Sequence, residues 1–341
     1  MWDYLKHANK PIVLYGMGNG ADKILNKLDD LGIPVSGVFA SDGFVRDKIY
    51  RGFKITSYSK AKEHFGDMIV LLCFGSQLES VIDQIKHIAA EQELYAPDVP
   101  VFGNDIFDES YAKKHEKDLS YVYSILEDEK SKFVFENIIK YKLSGKIDYL
   151  FKCQSRRKDD FNEILKLDNN EIFMDLGAYR GDTVMEFVNL VDAYKHIYAI
   201  EPNKKSFEHL KKNTAALKDC ECINIGIHNK KGALSFNKKN GRNSAAVDVG
   251  ELIEADSVDN IILGKDVSYI KMDVEGQELN ALDGAKNTIL KNKPKLLISA
   301  YHRSEDLFSL PMKVLSIRDD YKVYIRHNPY IPAWDTNFYF V

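Results

Sequence analysis

Three acids nearly a hundred residues apart end three short apolar runs: Asp175 in "EIFMDLGAYRGDT", Glu201 in "IYAIEPN" and Asp273 in "YIKMDVEGQELNALDGA". Short apolar runs that stop at an acid or a glycine read as buried parallel strands, and in an open α/β sheet the carboxyl ends of the strands line the ligand crevice. The three acids should therefore meet on one rim. Gly177 lies two residues after Asp175 and Gly181 four further on, so this turn has no compact G-x-G to receive a pyrophosphate. An acid at that strand tip suits a ligand with a cationic amine. Glu201, ending the next strand, can accept both hydroxyls of a ribose. Asp273 and His302, at the ends of two further strands, are placed to take a proton from an acceptor, whereas Glu275 holds the acceptor or caps the helix it opens.

A second glycine turn lies upstream in "IVLYGMGNGADKIL", where Gly16, Gly18 and Ala21 follow the dinucleotide-type spacing G-x-G-x-x-A. Asp42 follows the next strand and is a ribose acceptor in that reading. No convincing catalytic pair follows this turn. A nucleotide-dependent oxidoreductase or sugar-nucleotide enzyme run from it, or a ligand sensor without chemistry, are the rival readings. The downstream turn is taken as the reactive centre and the upstream one as a recognition or docking module.

Strand and helix signals alternate twice along the chain. "PIVLYG", "PVSGVFA", "MIVLLCFG" and a short last strand in "YAPDVPVFG" predict a Rossmann-like parallel sheet over residues 1–110. Residues 111–168 have helical periodicity and predict a helical connector. Over 169–341 the pattern predicts strands at 171–175, 196–200, 221–225, 268–273 and 295–300 and helices near 182–191, 204–215 and 276–291. "YKVYIRHN" and "NFYFV" then form a terminal hairpin-like pair with no helix-length segment between them.

With 341 residues the chain exceeds one comfortable core. The formal net charge of −4 and pI near 6.2 give no footprint for nucleic acid. No apolar run reaches the roughly 20 residues of a membrane span, and "MWDYLKHANKPIV" lacks the pattern of a secretory signal, which points to the cytoplasm. Cys73, Cys153, Cys220 and Cys222 match neither a disulfide framework nor a zinc site, and are expected as buried free thiols. No spacing marks a metal site. In "FNKKNGRNSAAV", Lys238, Lys239, Arg242 and Ser244 are candidates for clamping a phosphate- or diphosphate-linked acceptor, and Arg303, Glu305 and Asp306 are further candidate acceptor contacts.

Taken together, "FMDLGAYRGDT", "YAIEPN", "YIKMDVEGQELNALDGA" and "KPKLLISAYH" resemble the FkbM family of S-adenosylmethionine-dependent methyltransferases over roughly residues 165–341. The resemblance implies a class I methyltransferase sheet of seven strands with the last antiparallel. It implies cofactor contacts at Asp175, Gly177, Gly181 and Glu201, a set completed by Tyr179, Thr183, Pro202 and Asn203. It also places Asp273 and Glu275 beside the methyl-transfer site, and the N-terminal unit is similar to an accessory module of polysaccharide-associated members. The expected activity is O-methylation of a hydroxyl on a sugar or glycan precursor. Two departures stand out: members commonly carry Ala-Asn after the first glycine, whereas "GAYRG" places Tyr179 and Arg180 at the turn, and "ISAYH" lacks the acid that often precedes the histidine.

Overall fold

The apolar run Ile12–Tyr15 is buried at all four positions and forms β1, next to the centre of the first sheet. With β2 (Gly37–Ala40), β3 (Ile49–Tyr50), β4 (Phe53–Ser57), β5 (Ile69–Leu72) and β6 (Glu93–Tyr95) it gives the order β3-β4-β2-β1-β5-β6, parallel except for the β3–β4 pair. The computed structural model that shows this describes residues 1–45, 49–236 and 251–341. The last strand ends at Tyr95, where the expected one begins. Residues 96–108 form no strand and run as a strap towards the second sheet, because Pro97 and Pro100 lack the N–H that a ladder requires.

The second sheet is the expected one. Strands β7 (Ile172–Leu176), β8 (His196–Ile200) and β9 (Cys220–Ile223) make one half. After the short β10 (Gly226–Ile227), β11 (Gly232–Phe236) and β12 (Glu251–Asp256) come β13 (Tyr269–Met272), β14 (Lys295–Ser299), β15 (Val323–His327) and β16 (Thr336–Phe340). The order is β9-β8-β7-β13-β14-β16-β15, and β16 runs antiparallel to both neighbours. β10, β12 and β11 form a separate three-stranded sheet that the sequence pattern did not reveal. A helix at Asp306–Ile317 was also not anticipated, since Pro311 sits inside it. The missing backbone N–H and ring clash are offset there by burial of Leu307, Phe308, Leu310 and Val314. The helix expected at 276–291 is two, Glu278–Gly284 and Lys286–Asn292, meeting at Ala285.

The segment between the sheets is helical, and its long helix Glu129–Ser144 is capped by the Asp128 side chain and closed by Gly145 in the left-handed conformation. Its Val134, Phe135, Ile138 and Tyr141 belong to one apolar cluster that extends from Tyr15 and Val70 in the first sheet to Ile298 and Phe338 in the second. This segment is tied most firmly to β15. Arg326, 1% exposed, donates to both Asp128 carboxylate oxygens and to Ser131, and its Nε lies 3.5 Å from Asp160. Asp160, fully buried, accepts from Ser155 at 2.6 Å and Asn328 at 2.9 Å. Removing one partner from a buried ionic group strands the other, so Asp160→Ala is expected to lower stability by about 3–5 kcal/mol in urea unfolding followed by circular dichroism.

All four cysteines are free, but only Cys73 and Cys153 are buried; Cys220 and Cys222 are half-buried on an edge strand. Among the described residues no helix is long and apolar enough to cross a membrane.

Candidate active site

The turn after β7 is forced into shape by its glycine. Gly177 has φ +88°, and a Cβ there would collide with the carbonyl oxygen of Asp273 on the neighbouring strand end. This close approach lets Gly177 and Ala178 donate to the Ile200 carbonyl at 3.0 and 2.9 Å. Tyr179 then takes a positive φ of 47° and turns its N–H onto the Glu201 carboxylate at 2.8 Å. The second oxygen of Glu201 accepts the Asn203 N–H at 2.7 Å. Two fixed donors thus hold this carboxylate at the cavity wall, where each oxygen retains a free lone pair for a ligand hydroxyl. Burial pushes its pKa up to about 7, against the pull of those two N–H groups.

Asp175 does not face the cavity as expected. It is fully buried, and its carboxylate is committed to Thr183 Oγ1 and to Lys271 Nζ, the latter at 3.2 Å. Thr183 and Lys271 line the cavity in its place. Lys271 is also held by the Gly177 carbonyl at 3.3 Å; burial favours its neutral form, but Asp175 and Asp273 override this and keep it protonated. Gly181, with φ +89°, is likewise absent from the wall and starts the helix Asp182–Val188 against Leu210 and Thr214.

A cavity of about 460 Å³ spans the carboxyl ends of β7, β8, β13 and β14, within the size range of a small-molecule site. Gly177, Tyr179, Thr183, Glu201, Pro202 and Asn203 line it. Asp273, Glu275 and His302 come together on the same cavity from two chain segments. His302 is 1% exposed, with Nε2 at 3.4 Å from Asp273 and 3.7 Å from Glu275, and Nδ1 at 2.9 Å from Glu278 but out of hydrogen-bonding line. Glu278 supplies the acid that the sequence lacks next to the histidine, arriving from a helix instead of from the strand. Tyr301, which replaces it in sequence, donates to both oxygens of Asp273 at 3.1 and 3.2 Å.

Donor atoms of Asp273, Glu278 and His302 lie within 4.8 Å of one another, a grouping that residue spacing alone did not mark. The two imidazole nitrogens face different carboxylates, which is the geometry of an ionic relay. Burial favours the neutral imidazole, yet Glu278, Glu275 and Asp273 together raise its pKa to about 10, so His302 is a cation at neutral pH. Burial raises Glu275 to about 8 despite the opposing pull of His302, and Asp273 and Glu278 raise it further. Asp273 is the reverse case: burial is outweighed by Lys271, His302 and the Tyr301 hydroxyl, and its carboxyl stays below its ordinary value.

Sequence reasoning missed Lys271, Glu278 and Tyr301, and also Arg157, which lines the cavity from the helical segment and binds Glu186 at 2.9 Å and Asp335 at 3.0 Å. Arg303, Glu305 and Asp306 are not on the cavity wall. Arg303 donates to the Gly276 carbonyl, and Asp306 is buried and accepts the Arg303 N–H. Lys238, Lys239, Arg242 and Ser244 lie outside the described residues. In the upstream turn the Phe74 ring packs against Gly16, Tyr50 donates to the Gly18 carbonyl at 3.2 Å, Ala21 is buried and Asp42 is exposed.

Residues 175–321 match the family model of the methyltransferase FkbM domain. This segment is a methyltransferase FkbM domain. The crystal structure of a methyltransferase FkbM from Methylobacillus flagellatus has the same fold, with a TM-score of 0.74, 22% identity, and 97% of this chain aligned to 90% of that one. The shared fold therefore includes the first sheet and the helical segment as well as the FkbM domain. Fibrillarin from Aeropyrum pernix with natively bound S-adenosyl-L-methionine (13% identity, 51% of this chain, 67% of that one, TM-score 0.34) is a distant likeness. So is an rRNA methylase from Streptococcus thermophilus (13%, 54%, 91%, TM-score 0.32), and neither bears on the assignment. No protein of curated function matches the sequence significantly. With its FkbM domain the chain is a methyltransferase.

Proposed function

We infer that the chain is an S-adenosylmethionine-dependent O-methyltransferase whose acceptor is a hydroxyl of a sugar or glycan precursor. One observation carries this reading: the Gly177 turn, the Glu201 carboxylate and the Asp273–Glu275–His302 group line a single cavity. Gly177, Tyr179, Thr183, Glu201, Pro202 and Asn203 would hold the cofactor. Asp175 acts from beneath by fixing Thr183 and Lys271, and Gly181 acts by starting the helix. When bound, S-adenosylmethionine supplies an electrophilic methyl group on a sulfonium. The protein contributes alignment, exclusion of water and removal of the acceptor proton.

Glu275 is the group fitted to take that proton. It lines the cavity, its side chain is 26% exposed, and its φ of 55° holds it in a sparsely populated conformation beside His302. His302, already protonated, keeps the ionised Asp273 and the titrating Glu275 in place and is not itself the base. Proton removal, expected from the sequence at His302 or Asp273, falls instead to their neighbour Glu275.

Calorimetry with S-adenosylmethionine and with NAD tests the cofactor. Binding of the first is expected, and Glu201→Ala should weaken it about 10²-fold or more, since two hydrogen bonds to a charged group are lost. Because the Glu201 pKa is raised, its carboxylate is lost as pH falls through about 7, and wild-type affinity should fall over that range. NAD binding without S-adenosylmethionine binding would overturn the reading. Labelled methyl transfer to fractionated cell-envelope glycan precursors then identifies the acceptor.

A further inference from the structure

The cavity is not built by the FkbM domain alone. Gln77, from the loop after β5, and Val101, from the strap, line it together with Tyr301, Tyr330 and Trp334. The Ser76 N–H donates to Ile331 O at 2.8 Å and the Ile331 N–H to Ser76 O at 3.0 Å, so the loop after β5 is paired with the loop that carries both aromatics. Gly75 makes this contact possible: a Cβ there would come within 2.7 Å of the Trp334 ring and 2.8 Å of the Tyr330 ring. On the opposite side the strap grips the catalytic loops. The Phe102 N–H donates to the His302 carbonyl at 2.9 Å, the Phe102 ring fills the space beside Gly276, and Ser304 donates to the Asp105 carbonyl. Lys23, on the helix that follows the upstream glycine turn, donates to the carbonyls of Pro100 and Val101.

The geometry points to an acceptor subsite shared by the two units, in which Gln77 and the Tyr330–Trp334 pair hold a neutral, hydroxyl-rich ring of sugar size, so that the N-terminal unit selects the acceptor. This rests on the methyl-transfer reading above and adds to it the residues that choose the substrate. The chemistry of the wall is specific. Aromatic faces take the C–H face of a saturated ring, the Gln77 amide offers both a donor and an acceptor, and Asp273, Glu275 and Asp335 accept from hydroxyls. Among the described residues, the cations on this cavity already have partners: Arg157 binds Glu186 and Asp335, Lys271 binds Asp175, and His302 sits among carboxylates. With each of these cations already bonded to a carboxylate, the described residues of this wall offer a phosphate or carboxylate no unpaired positive group, so an anionic part of the acceptor belongs outside it.

Trp2 and Trp334 are the chain's two tryptophans, and Trp2 is buried, so Trp2→Phe leaves Trp334 as a single reporter. The protein is saturated with S-adenosylhomocysteine, whose binding is followed by calorimetry. Methyl gluco-, galacto- and mannopyranosides, glucose 6-phosphate and phenol are then titrated against Trp334 emission. At least one glycoside should give a saturable change, with none from glucose 6-phosphate or phenol. Gln77→Ala, an exposed position, should weaken the glycoside by about five-fold or more, the equivalent of one hydrogen bond, with S-adenosylhomocysteine affinity unchanged. A response to phenol alone, to no glycoside, or to a glycoside with equal affinity in Gln77→Ala overturns the subsite while leaving the cofactor reading intact. Failure of S-adenosylhomocysteine to bind removes both.

Discussion

Glu275→Gln is expected to lower kcat by about 10²–10⁴-fold while leaving the fold and S-adenosylhomocysteine binding unchanged. The amide keeps the size and the strained backbone position of Glu275 but cannot accept the acceptor proton. The wild-type pH dependence gives an independent check. A base works only when ionised, and the raised pKa of Glu275 means that kcat/KM should fall as pH drops through about 8. His302 must remain a cation to hold the carboxylates around it, so kcat/KM should also fall as pH rises through about 10. In Glu275→Gln the acid limb near 8 should vanish from the residual rate. A variant with wild-type kcat, or one whose acid limb persists, would return the proton to another group. His302 is then the weaker choice, since an imidazolium has no lone pair to offer.

Among the described glycines, Gly177→Ala should be the most costly alanine substitution. It combines a φ of +88° with a Cβ aimed at the backbone oxygen of Asp273, and neither strand end can retreat, because β7 and β13 are paired through Leu176 and Met272. Overpacking against backbone and a disfavoured φ together should lower stability by about 2–4 kcal/mol, read as a shifted midpoint in urea unfolding. Cofactor binding should be lost even where the protein still folds, because Ala178 and Tyr179 could no longer reach the Ile200 carbonyl and Glu201. A variant that binds S-adenosylhomocysteine with wild-type affinity would show that this turn tolerates the shift and that the cradle lies elsewhere.

Sequence alone determined the strands and the ends they present. Buried parallel strands are continuous apolar runs, so Ile172–Leu176, His196–Ile200, Tyr269–Met272 and Lys295–Ser299 stand out, and the residue after each run is fixed at the crevice by the sheet itself. That is why Glu201, Asp273, Glu275 and His302 fall on one cavity as expected. Pattern failed where local signal was weak or contradictory: β10 is two residues long, and Pro311 hides a helix that only burial of its apolar face sustains. Direction was also beyond the sequence. Asp175 ends its strand like the others but turns beneath the cavity, because Lys271 and Thr183 reach it first. The carboxylate partner of His302, the Arg157 guanidinium and the Gln77 wall each arrive from segments remote from the motifs. Tertiary packing alone decides such meetings, since a side chain's partner across the core leaves no periodicity in either segment. The same packing sets the charges: three carboxylates around one buried imidazole turn a residue that reads as a base into a fixed cation, and leave the strained glutamate beside it to titrate near neutrality.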